Sequence, residues 1–227
     1  MDRRNFLLTT GMIGAGVLAS TLAACTTTPE RPMPTSPRST PTPETTATPS
    51  TAPTMSNRVL LVYFSRPGEN YYYGDRITIE VGNTQVVAEM IAAAANVDVY
   101  KIEAADPYPD DYEATRDRNV EEENSNARPA IANPLPDTTQ YDTVLLGSPV
   151  WNVQTPMIMR TFVENVGLAG KTIRPFVTYA VSGIGRVEDD YTRLCPDSTL
   201  GESLAVQGEE ATEAGADVTA WLRRIGL

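Results

Sequence analysis

Three short stretches hold the residue types that could bind an anion and a flat ring. The first pairs Ser65, at the end of an apolar run, with Gly82-Asn83-Thr84. That triplet opens "GNTQVVAEMIAAAA", in which Val86, Val87, Met90 and Ile91 share one helical face. A helix N-terminus leaves backbone N–H groups without partners, so with the Thr84 hydroxyl and Asn83 amide beside them it forms a neutral anion cradle. The same triplet also reads as an ordinary N-cap that asks for no ligand. The second stretch, "GSPVWNVQTP", puts Trp151 just after a buried run. There the ring either stacks on a planar group, with Pro149 and Asn152 giving shape and backbone hydrogen bonds, or covers the end of the core. The third, "TYAVSGIGR", carries Ser182-Gly183-Ile184-Gly185, whose two glycines let backbone approach a ligand closely. It matches neither the dinucleotide fingerprint nor a Walker loop.

Composition narrows the chemistry further. The 227 residues contain no histidine, which removes the usual base of Ser and Cys nucleophile systems and the commonest zinc ligand. No catalytic residue and no metal site is expected. Two cysteines, Cys25 and Cys195, exclude a disulfide framework. A net charge of −11 argues against nucleic acid, because phosphate neutralisation needs clustered Lys and Arg.

The elements that must position the three stretches follow from periodicity. "RVLLVYF" (58–64) is apolar throughout and reads as a central parallel strand buried on both faces. "VDVYKIE" (97–103), "YDTVLLGSPV" (141–150), "KTIRPFVTYA" (171–180) and "STLGESLAV" (198–206) supply four more strands. Helices are expected at 83–95, 110–126, 156–167, 185–195 and 209–225, the third with Pro156 in its first turn, where proline is tolerated. Alternation of this kind means βαβ crossovers and an α/β fold: a three-layer, doubly wound, five-stranded parallel sheet. Ligands of such sheets bind beyond the carboxyl ends of the strands, where the three stretches lie.

Upstream, "MDRRNFLLTTGMIGAGVLASTLAAC" pairs Arg3-Arg4 with a moderately apolar run, the pattern of a twin-arginine export signal rather than a transmembrane span. Leu22-Ala23-Ala24-Cys25 resembles a bacterial lipobox, with Cys25 as the lipidated residue. Residues 26–57, dominated by Thr, Pro and Ser, read as an extended tether. The expected organisation is a signal over 1–25, a disordered tether over 26–57 and one folded domain over 58–227. The domain would be lipid-anchored at the outer face of the cytoplasmic membrane.

"YFSR", "GNTQVVAEMIA", "GSPVWNVQTP" and "TYAVSGIGR", in that order, resemble the motifs of the flavodoxin-like FMN-binding family over about 58–227. The resemblance implies strand order 2-1-3-4-5 and FMN as cofactor. It implies a phosphate site at Ser65, Arg66, Gly82, Asn83 and Thr84. The isoalloxazine would lie between Ser148, Pro149, Val150, Trp151 and Asn152 on one side and Thr178, Tyr179, Ser182, Gly183 and Gly185 on the other. The implied function is electron transfer with redox proteins or small acceptors. A flavin-dependent NAD(P)H or quinone reductase, and a non-redox binding module that has lost FMN, are the alternatives. One departure stands out: residues 66–81 separate Ser65 from the cradle, where flavodoxins usually place five or six residues. With Tyr71-Tyr72-Tyr73 and joints at Gly68 and Gly74, this insertion is either a lid beside the flavin or a surface hairpin whose "RITIEV" adds an edge strand.

Overall fold

The computed structural model describes residues 58–227. The expected export signal, Cys25 and the expected tether lie outside the described residues.

Strand β1 (Val59–Tyr63) is buried along its whole length. Its side chains alternate between faces: Leu60 and Val62 enter one core cluster, Val59, Leu61 and Tyr63 the other. Parallel to β1 run β4 (Asp98–Lys101) on one side and β5 (Thr143–Pro149) on the other. Next to β5 comes β6 (Thr172–Tyr179), then β7 (Thr199–Leu200) and β8 (Leu204–Gln207), both paired with β6. The expected order 2-1-3-4-5 is therefore the observed one, with β7 and β8 sharing the last position. Edge strand β4 leaves Val99 half exposed.

Helices cover both faces. On one side α1 (Asn83–Ala94) and α5 (Gly215–Ile225) bury Val87, Ile91 and Trp221 against Leu61 and Phe176. On the other, α3 (Met157–Asn165) and α4 (Val187–Leu194) bury Ile158, Phe162 and Tyr191 against Leu60 and Leu146. Each such fully buried side chain contributes about 1.5–3 kcal/mol of transfer free energy.

Two expected elements are broken. The final strand is interrupted at Gly201-Glu202-Ser203, because the Glu202 carbonyl leaves the ladder to accept the indole N–H of buried Trp221 at 3.2 Å. The closing helix is two pieces: a 3₁₀ turn over Gly208–Glu213, then α5. The helix expected at 110–126 is α2 (Tyr112–Asn124), capped by the Asp111 carboxylate, which accepts from Ala114 N–H at 2.7 Å.

The insertion after Ser65 is a two-stranded antiparallel hairpin, β2 (Gly68–Tyr72) and β3 (Asp75–Ile79). "RITIEV" does not add an edge to the main sheet; "GENYY" is its partner. Tyr73 and Gly74 turn with φ of +48° and +98°, the two left-handed positions of a tight hairpin turn. At the base, Glu69 N–H donates to Asp110 O at 2.7 Å, and Glu69 Oε2 accepts from Tyr112 N–H at 3.1 Å. Gly68 allows this approach, since a Cβ there would stand 2.8 Å from the Asp110 carbonyl oxygen.

Candidate functional site

A cleft opens beyond the carboxyl ends of β1, β5 and β6, walled by the first two loops, the hairpin and the start of the 3₁₀ turn. Its floor at one end is the N-terminus of α1. The cap residue Gly82 has no side chain to offer, and no acidic residue occupies the first turn. A Cβ at Gly82 would lie 2.3 Å from Ser65 Oγ and 2.5 Å from the Arg66 carbonyl oxygen, so only glycine fits between them. Ser65 Oγ accepts from Gln85 N–H at 3.1 Å, which leaves the serine proton free to donate. Among the described residues the backbone N–H groups of Asn83 and Thr84 have no hydrogen-bond partner. These are the open donors of a helix terminus, aligned with the positive end of its dipole. Thr84, 2% exposed, shares one hydrogen bond of 2.7 Å with the Thr178 hydroxyl.

At the other end stands Trp151. Its ring packs edge-on against Phe64, at 5.6 Å between centroids, and against Tyr108 at 5.0 Å. The chain turns tightly after it, with paired Trp151–Gln154 backbone hydrogen bonds of 3.0 and 3.1 Å. Asn152 and Val153 take φ of +45° and +66° in that turn. A β-branched residue in this region is strained, and the strain is held from outside: Val153 O accepts from Arg186 N–H at 2.7 Å, and Thr155 N–H donates to the buried Asp190 carboxylate at 3.0 Å. The turn that presents Trp151 is therefore clamped by α4.

Of the sequence-expected residues, Ser65, Arg66, Asn83, Thr84, Pro149, Val150, Trp151, Thr178 and Tyr179 line the cleft, and Gly82 makes its close approach possible. The others sit elsewhere. Ser148 is wholly buried, because β5 is a central strand covered on both faces. Asn152 faces Glu123 on α2, to which its amide donates. Ser182 and Gly183 stay off the cleft wall, and Gly185 serves the second loop: a Cβ there would meet Val153 O at 2.4 Å. Arg66 lines the cleft, but its guanidinium is engaged by the carbonyls of Pro109 at 3.0 Å, Asp110 at 3.1 Å and Glu69. Burial pulls its pKa down, and the nearby acids of 69, 110 and 111 oppose that. Its work is to fasten the hairpin to the segment before α2.

The cleft also takes in Asn70, Tyr71, Tyr112, Ala180, Gly208 and Glu209, which the motifs did not mark. The hairpin thus serves as a wall of the site, supplying Asn70 and Tyr71. Glu209 closes the opposite rim. Its Oε1 accepts from Tyr73 N–H at 3.0 Å, tying the hairpin tip to the 3₁₀ turn. Its Oε2 is buried without a partner among the described residues. Among the described residues no group of three or more acidic, Cys or His side chains could hold a metal ion, and no helix is long and apolar enough to cross a membrane.

Residues 78–225 match the flavodoxin family model; the match begins after β1 and Ser65. No curated protein matches the chain. Among solved structures, a candidate flavoprotein from Bacteroides eggerthii is 30% identical, with a TM-score of 0.59 over 75% of this chain and 98% of that one. A second, from Bacteroides uniformis, is 27% identical with a TM-score of 0.59, over 74% and 98% of the two chains. A Lactobacillus acidophilus flavoprotein in complex with FMN is 17% identical, over 70% and 98%, with a TM-score of 0.51, and shares the fold.

Proposed function

The chain belongs to the flavodoxin family, and on that premise we propose that it is an FMN-binding electron-transfer protein working at the outer face of the cytoplasmic membrane. The observation that carries the cofactor is the pair of unpartnered N–H groups, Asn83 and Thr84, at the closed end of a cleft whose far wall is Trp151.

The residues present fit FMN. The open N–H groups, the free proton of Ser65 and the Thr84–Thr178 hydroxyl pair form a donor set without a paired cation, which suits a phosphate at a helix N-terminus. Trp151 and Tyr179 would bracket the ring. The unpartnered Oε2 of Glu209 would accept from a hydroxyl of the ribityl chain. Bound FMN supplies reversible one- and two-electron transfer, and the protein's part is to hold and shield it. The α4 clamp on the turn 151–154 keeps the Trp151 wall in place, and the hairpin, tied at its tip to Glu209, screens the cleft from solvent.

The location rests on the leader: Arg3-Arg4 before an apolar run, Cys25 at the end of a lipobox, and a Thr/Pro/Ser tether long enough to hold the domain off a membrane. The twin-arginine route carries folded proteins, which suits one loaded with a cofactor before export.

Titration of the full chain with FMN, followed by flavin fluorescence, tests the cofactor. One-to-one binding with quenching is expected, and no binding at excess FMN would remove the redox reading. Fractionation of cells carrying Arg3→Lys/Arg4→Lys, or Cys25→Ala, tests the location: the first should remain in the cytoplasm and the second should leave the membrane. Normal export of the double-Lys chain would exclude the twin-arginine route.

A further inference from the structure

The β2–β3 hairpin has two backbone edges, and the one on β2 holds it to the domain: Glu69 N–H turns away from β3 and donates to Asp110 O at 2.7 Å. In an antiparallel pair, two residues that face each other send their backbone groups both toward the shared ladder or both away from it. Thr78 stands opposite Glu69, and Arg76 opposite Tyr71. The N–H and C=O groups of Arg76 and Thr78 therefore point out from the free edge of β3. Arg76 N–H is taken by its own neighbour, Asp75 Oδ1, at 2.9 Å. Thr78 N–H has no hydrogen-bond partner among the described residues.

Strand β3 is paired in unbroken register and contains no proline, and Ile77 on it is 39% exposed. An open, regular edge of this kind is a template for another strand, which proteins normally blunt. The residues of the edge say which strand fits. Laid antiparallel on a second copy of itself about Thr78, β3 sets Ile77 opposite Ile79 and Arg76 opposite Glu80, and the two-fold axis makes each pair twice. Centring on Ile77 or Ile79 instead leaves Arg76 and Glu80 without each other, so the charges select one register. The chain's own segment 26–57 is a poor substitute, since prolines, which lack the N–H a ladder needs, recur through it every few residues. A net charge of −11 repels a second copy at long range, but at about 0.15 M salt charges more than about 8 Å apart are largely screened.

We propose that the free edge of β3 is a homodimer interface, in which two copies pair antiparallel about Thr78 to form one four-stranded sheet. Thr78 N–H and C=O exchange hydrogen bonds with Thr78 of the second copy, and Ile77 and Ile79 of both copies form one apolar patch on a single face of that sheet. The two domains lie beyond the β2 edges, on opposite sides of the new sheet. Because β2 supplies Asn70 and Tyr71 to the cleft, the pairing braces a wall of each site from outside.

The test uses the full chain with Cys25→Ala and Cys195→Ala, so that one introduced cysteine is the only thiol. Under mild oxidation Thr78→Cys should give about tenfold more disulfide-linked dimer than Asp75→Cys. In the proposed register the two copies of residue 78 are about 5.5 Å apart, within disulfide reach, and those of residue 75 about 20 Å. Glu80→Arg and Arg76→Glu, each added to the Thr78→Cys chain, should cut the crosslink severalfold, because each sets like charges opposite each other twice. Mixing these two variants rebuilds both Arg–Glu pairs and should restore the crosslink, now between one chain of each kind. Arg76 also lies over the Tyr112 ring at 3.8 Å, so Glu80→Arg carries the test if Arg76→Glu loosens the hairpin. Equal crosslinking at 75 and 78, a crosslink indifferent to Glu80→Arg, or an unaltered chain that sediments as a monomer at every concentration would each overturn the dimer. So would a crosslink from residue 78 to a different protein in place of a second copy.

Discussion

Thr84 Oγ1 and Thr178 Oγ1 lie 2.7 Å apart, joining the first turn of α1 to the end of β6 beneath the cleft. Two hydroxyls that share one hydrogen bond use one proton between them and keep the other, so the pair holds the cradle in register and still offers a donor to a ligand. Thr84→Val removes that donor and leaves Thr178 without its partner. FMN should bind about 1.5–3 kcal/mol more weakly, the scale of one hydrogen bond to a charged group. Riboflavin, which lacks the phosphate, should lose less than half of that. Parallel fluorescence titrations decide it; equal losses would place Thr84 away from the phosphate.

Trp151 has two duties, and one substitution separates them. Its edge contacts with Phe64 and Tyr108 are part of the core boundary, and its position in the cleft makes it a wall for the ring. Trp151→Ala should weaken FMN by about 1–3 kcal/mol and lower the melting temperature as well. Trp151→Phe should restore most of the stability. If FMN affinity is unchanged in the Ala variant, Trp151 only covers the core.

How much of this was legible in the sequence depends on which force set each residue. The strands themselves, and the placement of Ser65, Thr84 and Trp151 at strand and helix ends, follow from apolar periodicity, which is a local signal, whereas the order of the strands came from the family resemblance. The role of Gly185 was not legible. A glycine pair permits close approach without naming what approaches, and here it is Val153 O rather than a ligand. Ser148 was misplaced by motif adjacency: it lies within β5, a central strand whose two faces are both core. Asn70, Tyr71 and Glu209 reach the cleft only through tertiary contacts: the Arg66 clamp on three carbonyls and the Tyr73–Glu209 hydrogen bond. No spacing in the chain announces those. Helix α2 was visible in "DDYEATRDRNVEEENSN" as a merely polar helix; that Thr115, Asn119 and Glu122 are its buried residues needed the fold.

Glu209 brings a carboxylate to a cleft that also holds the N-terminus of α1. A negative charge there opposes a phosphate dianion while favouring hydroxyl donors. Glu209→Gln keeps the shape and an acceptor for Tyr73 N–H and removes the charge. The ratio of riboflavin to FMN dissociation constants should therefore rise severalfold, with the hairpin still in place by limited proteolysis. An unchanged ratio would mean that the carboxylate does not sense the phosphate.

Cys195 is a buried free thiol whose pKa burial pushes up to about 11, with the charge of Glu164 adding to the rise. Burial pushes the hydroxyls of Tyr108 and Tyr191 upward as well. For each group the folded state holds its proton more tightly than the unfolded chain does. The stability this contributes is complete below the unfolded value, near 9 for the thiol, and is lost as pH rises through about 11. Urea midpoints should therefore stay level from neutral pH to about 8 and fall steeply between about 9 and 11. Thiol alkylation gives an independent reading of the same shift. At pH 9 the denatured chain should react with iodoacetamide at least tenfold faster at Cys195 than the folded chain, since reaction needs the thiolate. Equal rates at pH 9, with the fold intact by circular dichroism, would show an accessible, ordinary thiol and sink the assignment.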